Sequence, residues 1–215
     1  MKVFDLTQRI SEGMPVYPGT EEAKLLPANT YEKDGFRETL LSMTTHTGTH
    51  MDPPAHLFPE LKTLDSFDAE HFVGRGAVID CRELGRGGII TMEHINRERA
   101  ACDEADFILF CTGWSRYWCS PEYFGEYPVI DAEVADYIIK TGKKGIGFDT
   151  IGLDPISDAN LTLHKRILGE NRTVIIENLT NLEKLIGKSF TLCAFPLNIE
   201  NADGSPIRAM AMCEE

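Results

Sequence analysis

Three of the six histidines in this 215-residue chain lie within the eleven-residue segment 46–56, which reads HTGTHMDPPAH. His46, His50 and His56 share this segment with Asp52. Neutral imidazoles and carboxylates are the usual ligands of zinc and similar divalent ions in hydrolytic sites. Histidines gathered by chance are the alternative. Three imidazoles, a carboxylate and a proline pair in so short a segment favour a metal site.

The backbone that carries these residues is predicted to be extended and then bent. Threonines, a glycine and a proline pair disfavour a helix here. In an extended chain His46, His50 and Asp52 point to one face, but a straight strand separates the Cα atoms of the two histidines by roughly 13 Å. Donor atoms around one ion lie much closer together. The chain must therefore bend, and Gly48 is the residue best able to bend it.

Two residues far along the chain are candidate distal ligands. His164 lies on a predicted helix with Leu161, Ile167 and Leu168 on the same apolar face. Glu177 closes an apolar strand, where a carboxylate is costly unless it is paired or bound to a metal. Taken singly, the histidine could be a hydrogen-bonded core residue and the glutamate could lie at the mouth of its strand. Together with the cluster they complete a plausible two-metal set.

The elements that must position these residues alternate along the chain. The pattern predicts an α/β fold, with residues 1–215 forming a single domain in which a mixed β-sheet is flanked by helices. Predicted strands cover residues 3–6, 39–45, 76–80, 106–111, 144–149, 173–177, 189–195 and 207–212. Predicted helices run from Thr91 to about Ala101, from Asp131 through Ile139 with Gly142 ending it, and from Ser157 or Asp158 to Leu168.

The composition of the chain limits the classes of binding partner and the cellular compartment that we expect for the protein. The net charge of −13 disfavours nucleic acid and anionic membranes and favours a small-molecule substrate, although solubility alone also explains it. The six scattered cysteines form no C-x-x-C pair, so we expect reduced, mostly buried thiols. The sequence has no signal peptide and no apolar run long enough to span a membrane, which predicts the cytoplasm. His71 and His94 are predicted to lie on helix surfaces, without a role.

The segment 46–56 resembles the signature H-x-G-T-H-x-D-x-P-x-H of the cyclase-like metal-dependent hydrolases. That family includes bacterial kynurenine formamidase, an arylformamidase, and isatin hydrolase as a relative. The resemblance extends over most of the chain. Further similar segments are 14–19, 112–114, 147–150, 153–154 and 203–209.

The resemblance implies roles for individual residues. His46 and His50 would bind a first metal ion, Asp52 would bridge two ions, His164 would bind the second, and Glu177 would contact both. His56 would be the general acid and base. The family also implies the swivelling β/α/β type of fold, two Zn²⁺ ions per subunit with Mn²⁺ as the alternative, and a homodimer or higher homo-oligomer.

The substrate is less constrained than the metal site. The predicted reaction is metal-assisted hydrolysis of an amide bond, as in an aryl formamide such as N-formylkynurenine, with His56 relaying the proton to the leaving nitrogen. Tyr17 stands where kynurenine formamidases typically carry tryptophan, and Ile151-Gly152 stands where they carry Pro-Ser. Tyr17 could stack on an aromatic substrate or could be ordinary loop packing. Ring opening of a cyclic amide or imide, and metal binding without catalysis, are the alternatives.

Overall fold

The computed structural model describes residues 1–214 and is built around a nine-stranded mixed sheet, ordered β1-β13-β11-β5-β7-β9-β10-β4-β12. Two further pairs, β2 with β3 and β6 with β8, lie outside it. The strands are β1 (Lys2–Asp5), β2 (Lys24–Asn29), β3 (Glu38–Ser42), β4 (His50–Asp52), β5 (Val73–Asp80), β6 (Ile89–Ile90), β7 (Phe107–Cys111), β8 (Val129–Ile130), β9 (Gly145–Phe148), β10 (Val174–Glu177), β11 (Phe190–Cys193), β12 (Ser205–Pro206) and β13 (Met210–Cys213).

The middle of the sheet is parallel and buried on both faces. Strands β5, β7, β9 and β10 pair in parallel, and all the residues of β7 are buried. Phe107 and Leu109 enter one hydrophobic cluster, whereas Ile108 and Phe110 enter the cluster on the opposite face. This alternation explains why the segment reads as a continuous apolar run, as is usual for a parallel strand that is covered on both sides. The predicted single-domain α/β fold with a mixed sheet is confirmed.

The longest helix begins and ends where its sequence signals it. The Asp131 side chain accepts a hydrogen bond from the backbone N–H of Val134, and Gly142 ends the helix in the left-handed conformation. Val134 and Ile138 are fully buried against the sheet. The helices are α1 (Tyr31–Asp34), α2 (Met92–Arg97), α3 (Arg99–Glu104), α4 (Ala132–Thr141) and α5 (Thr162–Leu168).

The predicted helix over residues 91–101 is wrong in its extent. Thr91 does begin a helix, but α2 ends at Arg97 and α3 follows after Glu98, which leaves the helical conformation. Nothing in the segment signals this break, since it contains neither proline nor glycine. His94 is also not on the surface. It is 6% exposed, and its ring accepts the backbone N–H of Thr91 in a capping box.

Helix α5 begins later than the prediction from Ser157 or Asp158. It starts at Thr162, after Leu161 in the left-handed region. The Asp158 carboxylate instead accepts the N–H groups of Asn160 and Thr162 and so organises the turn before the helix. The end of the helix beside Gly169 agrees with the prediction.

Other expectations can be compared with the structure directly. The six cysteines are free thiols and four of them are buried, as predicted. Within residues 1–214, each helix is too short or too polar to cross a lipid bilayer. The carboxyl ends of the parallel strands β7, β9 and β10 meet at one edge of the sheet, and the antiparallel strand β4 begins beside them. Clefts at such an edge are the usual position of sites in α/β proteins.

Candidate active site

The pairing of β4 with β10 brings the N-terminal cluster to a distal carboxylate. In their antiparallel register His50 lies opposite Glu177 and Asp52 lies opposite Ile175. Directly opposite residues project from the same face of a sheet, so Glu177 points with His50. The distance from His50 Nε2 to Glu177 Oε2 is 3.5 Å. Both residues are about 5% exposed or less.

The bend predicted between the first two histidines is present at Gly48. Its φ is +69°, in the left-handed region, and β4 starts only at His50. The turn brings the imidazole ring centroids of His46 and His50 to 5.4 Å. Pro54 then begins a short 3-10 helix, Pro54–His56, that ends on the third histidine.

We expect Gly48→Ala to lower the free energy of unfolding by about 1–2 kcal/mol, because an L-residue in the left-handed region carries that penalty. A Cβ atom there would meet Met14 Cε at 3.5 Å, an ordinary contact, so the cost is conformational and not a clash. Urea unfolding measures it. Gly85→Ala is the control, since Gly85 has open space and no positive φ, and should lose no stability. Equal stability of Gly48→Ala and wild type would contradict this account of the turn.

Asp52 lies at the centre of the cluster. Its Oδ1 is 2.6 Å from His46 Nδ1 and 3.3 Å from His50 Nε2, and its Oδ2 is 3.7 Å from His164 Nε2. His164 Nε2 is also 3.1 Å from Glu177 Oε1. Asp52 itself is 1% exposed. A single buried carboxylate therefore contacts three imidazoles that come from distant parts of the chain.

Hydrogen bonds at the far side of two rings fix which nitrogen faces the centre. His50 Nδ1 donates to the carbonyl of Gly48 at 2.8 Å, and His164 Nδ1 donates to Asp154 at 2.6 Å. Each bond leaves Nε2 pointing inward, and in the neutral ring this nitrogen carries the free electron pair. Such outer hydrogen bonds are the usual way in which proteins orient imidazole ligands.

Asp154 and Asn178 are residues that sequence reasoning missed. Asp154 was identified only as part of a family-like segment. Its carboxylate also accepts the N–H groups of Leu163 and His164, so it anchors the start of α5 together with the imidazole. Asn178 directly follows Glu177, and its amide donates to the Gly48 carbonyl at 2.9 Å. The signal for Asp154 was a carboxylate in a loop shortly after a buried strand; nothing in the sequence pointed to Asn178.

Asp154→Asn should weaken divalent-metal binding by roughly 10- to 100-fold, the usual cost of losing a partner behind an imidazole ligand. The substitution keeps the shape of the side chain but removes the charge that faces His164 Nδ1. Competition with a chelating dye measures the affinity. Asp158→Asn is a matched control, because its carboxylate binds Asn160 and Thr162 at the start of α5 and belongs to no ligand group of the cluster. A metal affinity equal to wild type in Asp154→Asn would show that this hydrogen bond does not position the ring.

The charges of the buried cluster are coupled. Burial works against a protonated His50, but Asp52 and Glu177 outweigh it and raise its pKa to about 9. Hydrogen bonds with Asp154, Asp52 and Glu177 likewise outweigh burial and raise the pKa of His164 well above its usual value. Burial likewise opposes ionisation of Asp52, yet His50 and the other imidazoles hold its pKa well below the usual range. The carboxylates therefore draw positive charge into the site.

His56 differs from the other histidines of the segment. Burial lowers its pKa, which favours the neutral imidazole. Its ring lies 4.0 Å from that of His46 and 6.3 Å from that of His164, measured between centroids. The ligand atoms of His56, His46 and the exposed Asp203 lie within 4.8 Å of one another, and Asp203 is 3.3 Å from His46 Nε2. His56 thus borders the cluster on its open side.

A cavity of about 560 Å³ opens over the cluster. Its walls away from the imidazoles are mostly apolar and include Val16, Ile151 and Leu161. Tyr17 lines this cavity and also packs against an aromatic cluster that contains Trp114. Burial and the charge of Glu177 raise the pKa of Tyr17, so its hydroxyl stays protonated. Both of its predicted alternatives, substrate contact and loop packing, are compatible with this position.

The donor set fits divalent cations. Three groups have ligand atoms that all lie within 4.8 Å of one another. Two of them share Asp52 and consist of His46, His50 and Asp52, and of Asp52, His164 and Glu177. The third consists of His46, His56 and the exposed Asp203. Imidazoles and carboxylates without thiolate suit zinc or manganese. All five predicted ligands and His56 come together in one place, and their roles stay predictions.

Comparisons with known proteins identify related sequences. Residues 4–155 match the family model Cyclase, described as "Putative cyclase". A kynurenine formamidase of Geobacillus thermodenitrificans is 31% identical over 207 residues, covering 96% of this chain and 95% of the relative. The match to the family model includes segment 46–56, and the match to the relative covers nearly the whole chain.

Solved structures show the same architecture. Isatin hydrolase A from Labrenzia aggregata, bound to benzyl benzoate, superposes with a TM-score of 0.89 at 26% identity, covering all of this chain and 94% of the other. A predicted metal-dependent hydrolase from Bacillus stearothermophilus superposes with a TM-score of 0.79 at 26% identity, covering 98% and 97%.

Proposed function

Because this chain belongs to the cyclase family of metal-dependent hydrolases, we propose that it cleaves an amide bond of a small aryl substrate, an aryl formamide such as N-formylkynurenine being the first candidate. The observation that carries the proposal is the pair of ligand groups that share the buried Asp52 beneath an open cavity. A volume of about 560 Å³ suits a small molecule. The apolar walls suit an aromatic ring.

We propose two Zn²⁺ ions per subunit, with Mn²⁺ as the alternative. His46, His50 and Asp52 would hold one ion, and Asp52, His164 and Glu177 would hold the other. Divalent ions in such a site supply Lewis acidity, which makes water nucleophilic near neutral pH and polarises a carbonyl. The chain's own contribution is to fix the inward-facing nitrogens through Gly48 and Asp154 and to exclude bulk water by burial.

His56 supplies the proton transfer in this proposal. A neutral imidazole at the open side of the cluster can accept a proton at one ring nitrogen and pass it to the leaving nitrogen of the amide. Its lowered pKa keeps it ready to accept that proton at neutral pH. Its position outside the two ligand groups that share Asp52 leaves it free to move protons.

One observation favours a second candidate, the hydrolytic opening of a cyclic amide. Among the described residues, no lysine or arginine lines the cavity, whereas several carboxylates do. N-formylkynurenine carries an α-carboxylate that would find no lysine or arginine there. A neutral fused ring such as isatin carries no such charge, and the similarity to isatin hydrolase A points in the same direction.

A substrate panel tests both candidates. We propose to purify the protein without added metal, measure its metal content by mass spectrometry, and assay N-formylkynurenine, neutral formanilide and isatin. Formamidase activity supports the first candidate, and ring opening of isatin without formamidase activity supports the second. Full metal occupancy with no turnover of any of the three would favour a metal-binding protein without catalysis and would overturn the proposal.

A further inference from the structure

The two ring nitrogens of His46 face two different carboxylates. Nδ1 lies 2.6 Å from Asp52 Oδ1, at the centre of the buried cluster, and Nε2 lies 3.3 Å from Asp203 Oδ2. The Asp52 side chain is 1% exposed, whereas that of Asp203 is 58% exposed. The imidazole of His46 therefore reaches from the buried centre of the cluster to its open side.

The neighbouring ring of His56 has no hydrogen-bond partner. Within residues 1–214, neither of its nitrogens makes a hydrogen bond or an ion pair. The ring is partly buried, lines the cavity, and lies against the ring of His46 with the centroids 4.0 Å apart. An imidazole with unpaired nitrogens at the wall of a cavity is able to bind a proton or a metal ion from solvent.

Asp203 is held in position beside these rings. The backbone of Gly204 lies against His46 so closely that a Cβ atom there would be 2.4 Å from Cε1 of the imidazole, an approach that only glycine allows. Thr45 Oγ1 donates a hydrogen bond to Asp203 Oδ1 at 3.2 Å. Ser205, the next residue after the glycine, begins β12, which pairs with β4 of the cluster. The Asp203 carboxylate is thus exposed to solvent but fixed relative to the histidines.

These three side chains form a ligand group on the open side of the cluster, which we call the rim group. One ligand atom from each of His46, His56 and Asp203 lies within 4.8 Å of the other two. Two imidazoles and a carboxylate suit zinc, and three protein ligands leave a position for water. The rim group lacks Asp52, which both of the groups proposed to hold the catalytic ions contain, and it shares only His46 with them.

We propose that the rim group binds an additional divalent ion when metal is in excess, and that this ion inhibits hydrolysis. The inhibition rests on the proposed function, in which the free imidazole of His56 transfers a proton. An ion bound to that imidazole occupies the electron pair that accepts the proton, and it also lies over the open side of the cluster. An excess of the metal that activates the protein then inhibits it.

The rim group binds its ion more weakly than the two buried groups bind theirs. The imidazole of His46 already serves a catalytic ion through Nδ1, and a second ion at Nε2 is repelled by the first. Binding at Nε2 also displaces the proton of that nitrogen, which passes to solvent. Water surrounds the exposed Asp203 carboxylate and weakens its attraction for a cation. The additional ion therefore binds only after the catalytic groups are filled.

The charge of the protein favours entry of a cation from this side. The chain carries a net charge of −13. Among the described residues, the cavity is lined by several carboxylates and by no lysine or arginine. A cleft lined by one sign of charge raises the local concentration of the opposite ion.

Zinc titration of Asp203→Asn, with Asp158→Asn as the matched control, tests the site itself. Asp158 also lies at the cavity and is partly exposed, but it belongs to no ligand group. Equilibrium dialysis measures the ions bound per chain from scarce to excess zinc. At excess zinc, we expect wild type and Asp158→Asn to bind one more ion per chain than Asp203→Asn. Equal numbers in wild type and Asp203→Asn at every zinc concentration would overturn the site.

Steady-state rates of the same proteins test the inhibition. Each rate is divided by the rate of that protein when zinc just fills the catalytic groups. At excess zinc, wild type and Asp158→Asn should lose roughly 100-fold or more, the usual contribution of a positioned acid or base, whereas Asp203→Asn keeps most of its activity. Equal inhibition of wild type and Asp203→Asn, or full wild-type activity with the additional ion bound, contradicts the proposal. Failure to turn over any substrate overturns the proposed function, and dialysis still decides whether the site exists.

Anomalous scattering from wild-type crystals soaked in excess zinc locates the ion without a variant or a substrate. We expect a third peak, weaker than the two beside Asp52, between His56 and Asp203. If dialysis found the additional ion but the crystals showed no peak there, the ion would lie elsewhere and the assignment to the rim group would be wrong. This measurement decides the question even if Asp203→Asn fails to fold.

Discussion

His56→Ala should lower kcat by roughly 100- to 10,000-fold, the usual contribution of a positioned acid or base, while metal content stays at the wild-type level. His56 is the histidine of the cluster that burial keeps neutral and that lies on the open side beneath the cavity. Steady-state kinetics with the best substrate of the panel and metal analysis on the same preparation measure the two quantities.

His71→Ala is the control for this substitution. His71 is also partly buried, and its ring lies against Phe67, away from the cluster. It should retain wild-type kcat and metal content. If His56→Ala lost metal as well as activity, His56 would be a ligand. The group of His46, His56 and Asp203, whose ligand atoms lie within 4.8 Å of one another, makes that outcome structurally possible.

Asp52→Asn should abolish activity and weaken binding of both ions by more than about 100-fold, a larger loss than removal of an outer partner causes. The reason is that both ligand groups contain this carboxylate. The substitution also removes the carboxylate charge that faces the imidazoles of His46, His50 and His164. Metal content by mass spectrometry and affinity by chelator competition measure the effect.

Asp149→Asn is the control for Asp52→Asn, because it distinguishes loss of metal binding from loss of folding stability. Asp149 is 1% exposed, as Asp52 is, but it accepts hydrogen bonds from Thr112 and belongs to neither ligand group. We expect it to lower the unfolding midpoint while keeping its metal. Full metal occupancy in Asp52→Asn would contradict the shared role of this carboxylate.

The part of the site that is local in sequence could be predicted from it. Residue types, parity and the need for a bend identify His46, Gly48, His50 and Asp52, because these features act over a few residues. The same holds for α4, whose cap and C-terminal glycine are read directly from the chain.

The contacts between distant segments could not be predicted in this way. The position of Glu177 opposite His50 depends on the register of β4 with β10, and that register is set by packing of the whole sheet. The contact of Asp154 with His164 depends on where α5 begins. That start was wrongly predicted, because Asp158 resembles a helix cap but organises the preceding turn.

The hairpin of β2 and β3 shows a different limit of prediction from the sequence. Residues 39–45 were predicted to form a strand, but their partner strand β2 was not, since Pro27 interrupts it. The leucines of β2 and β3 are exposed, so their apolar character does not reflect burial in the core. The cytoplasmic location and the small-molecule partner stay predictions.

Anomalous X-ray scattering from crystals grown with zinc tests the central claim most directly. We predict two strong peaks on either side of the Asp52 carboxylate, one beside His46 and His50 and the other beside His164 and Glu177. Side chains that diverge from one another, with no anomalous peak between them, would contradict the assignment of this cluster as a metal centre.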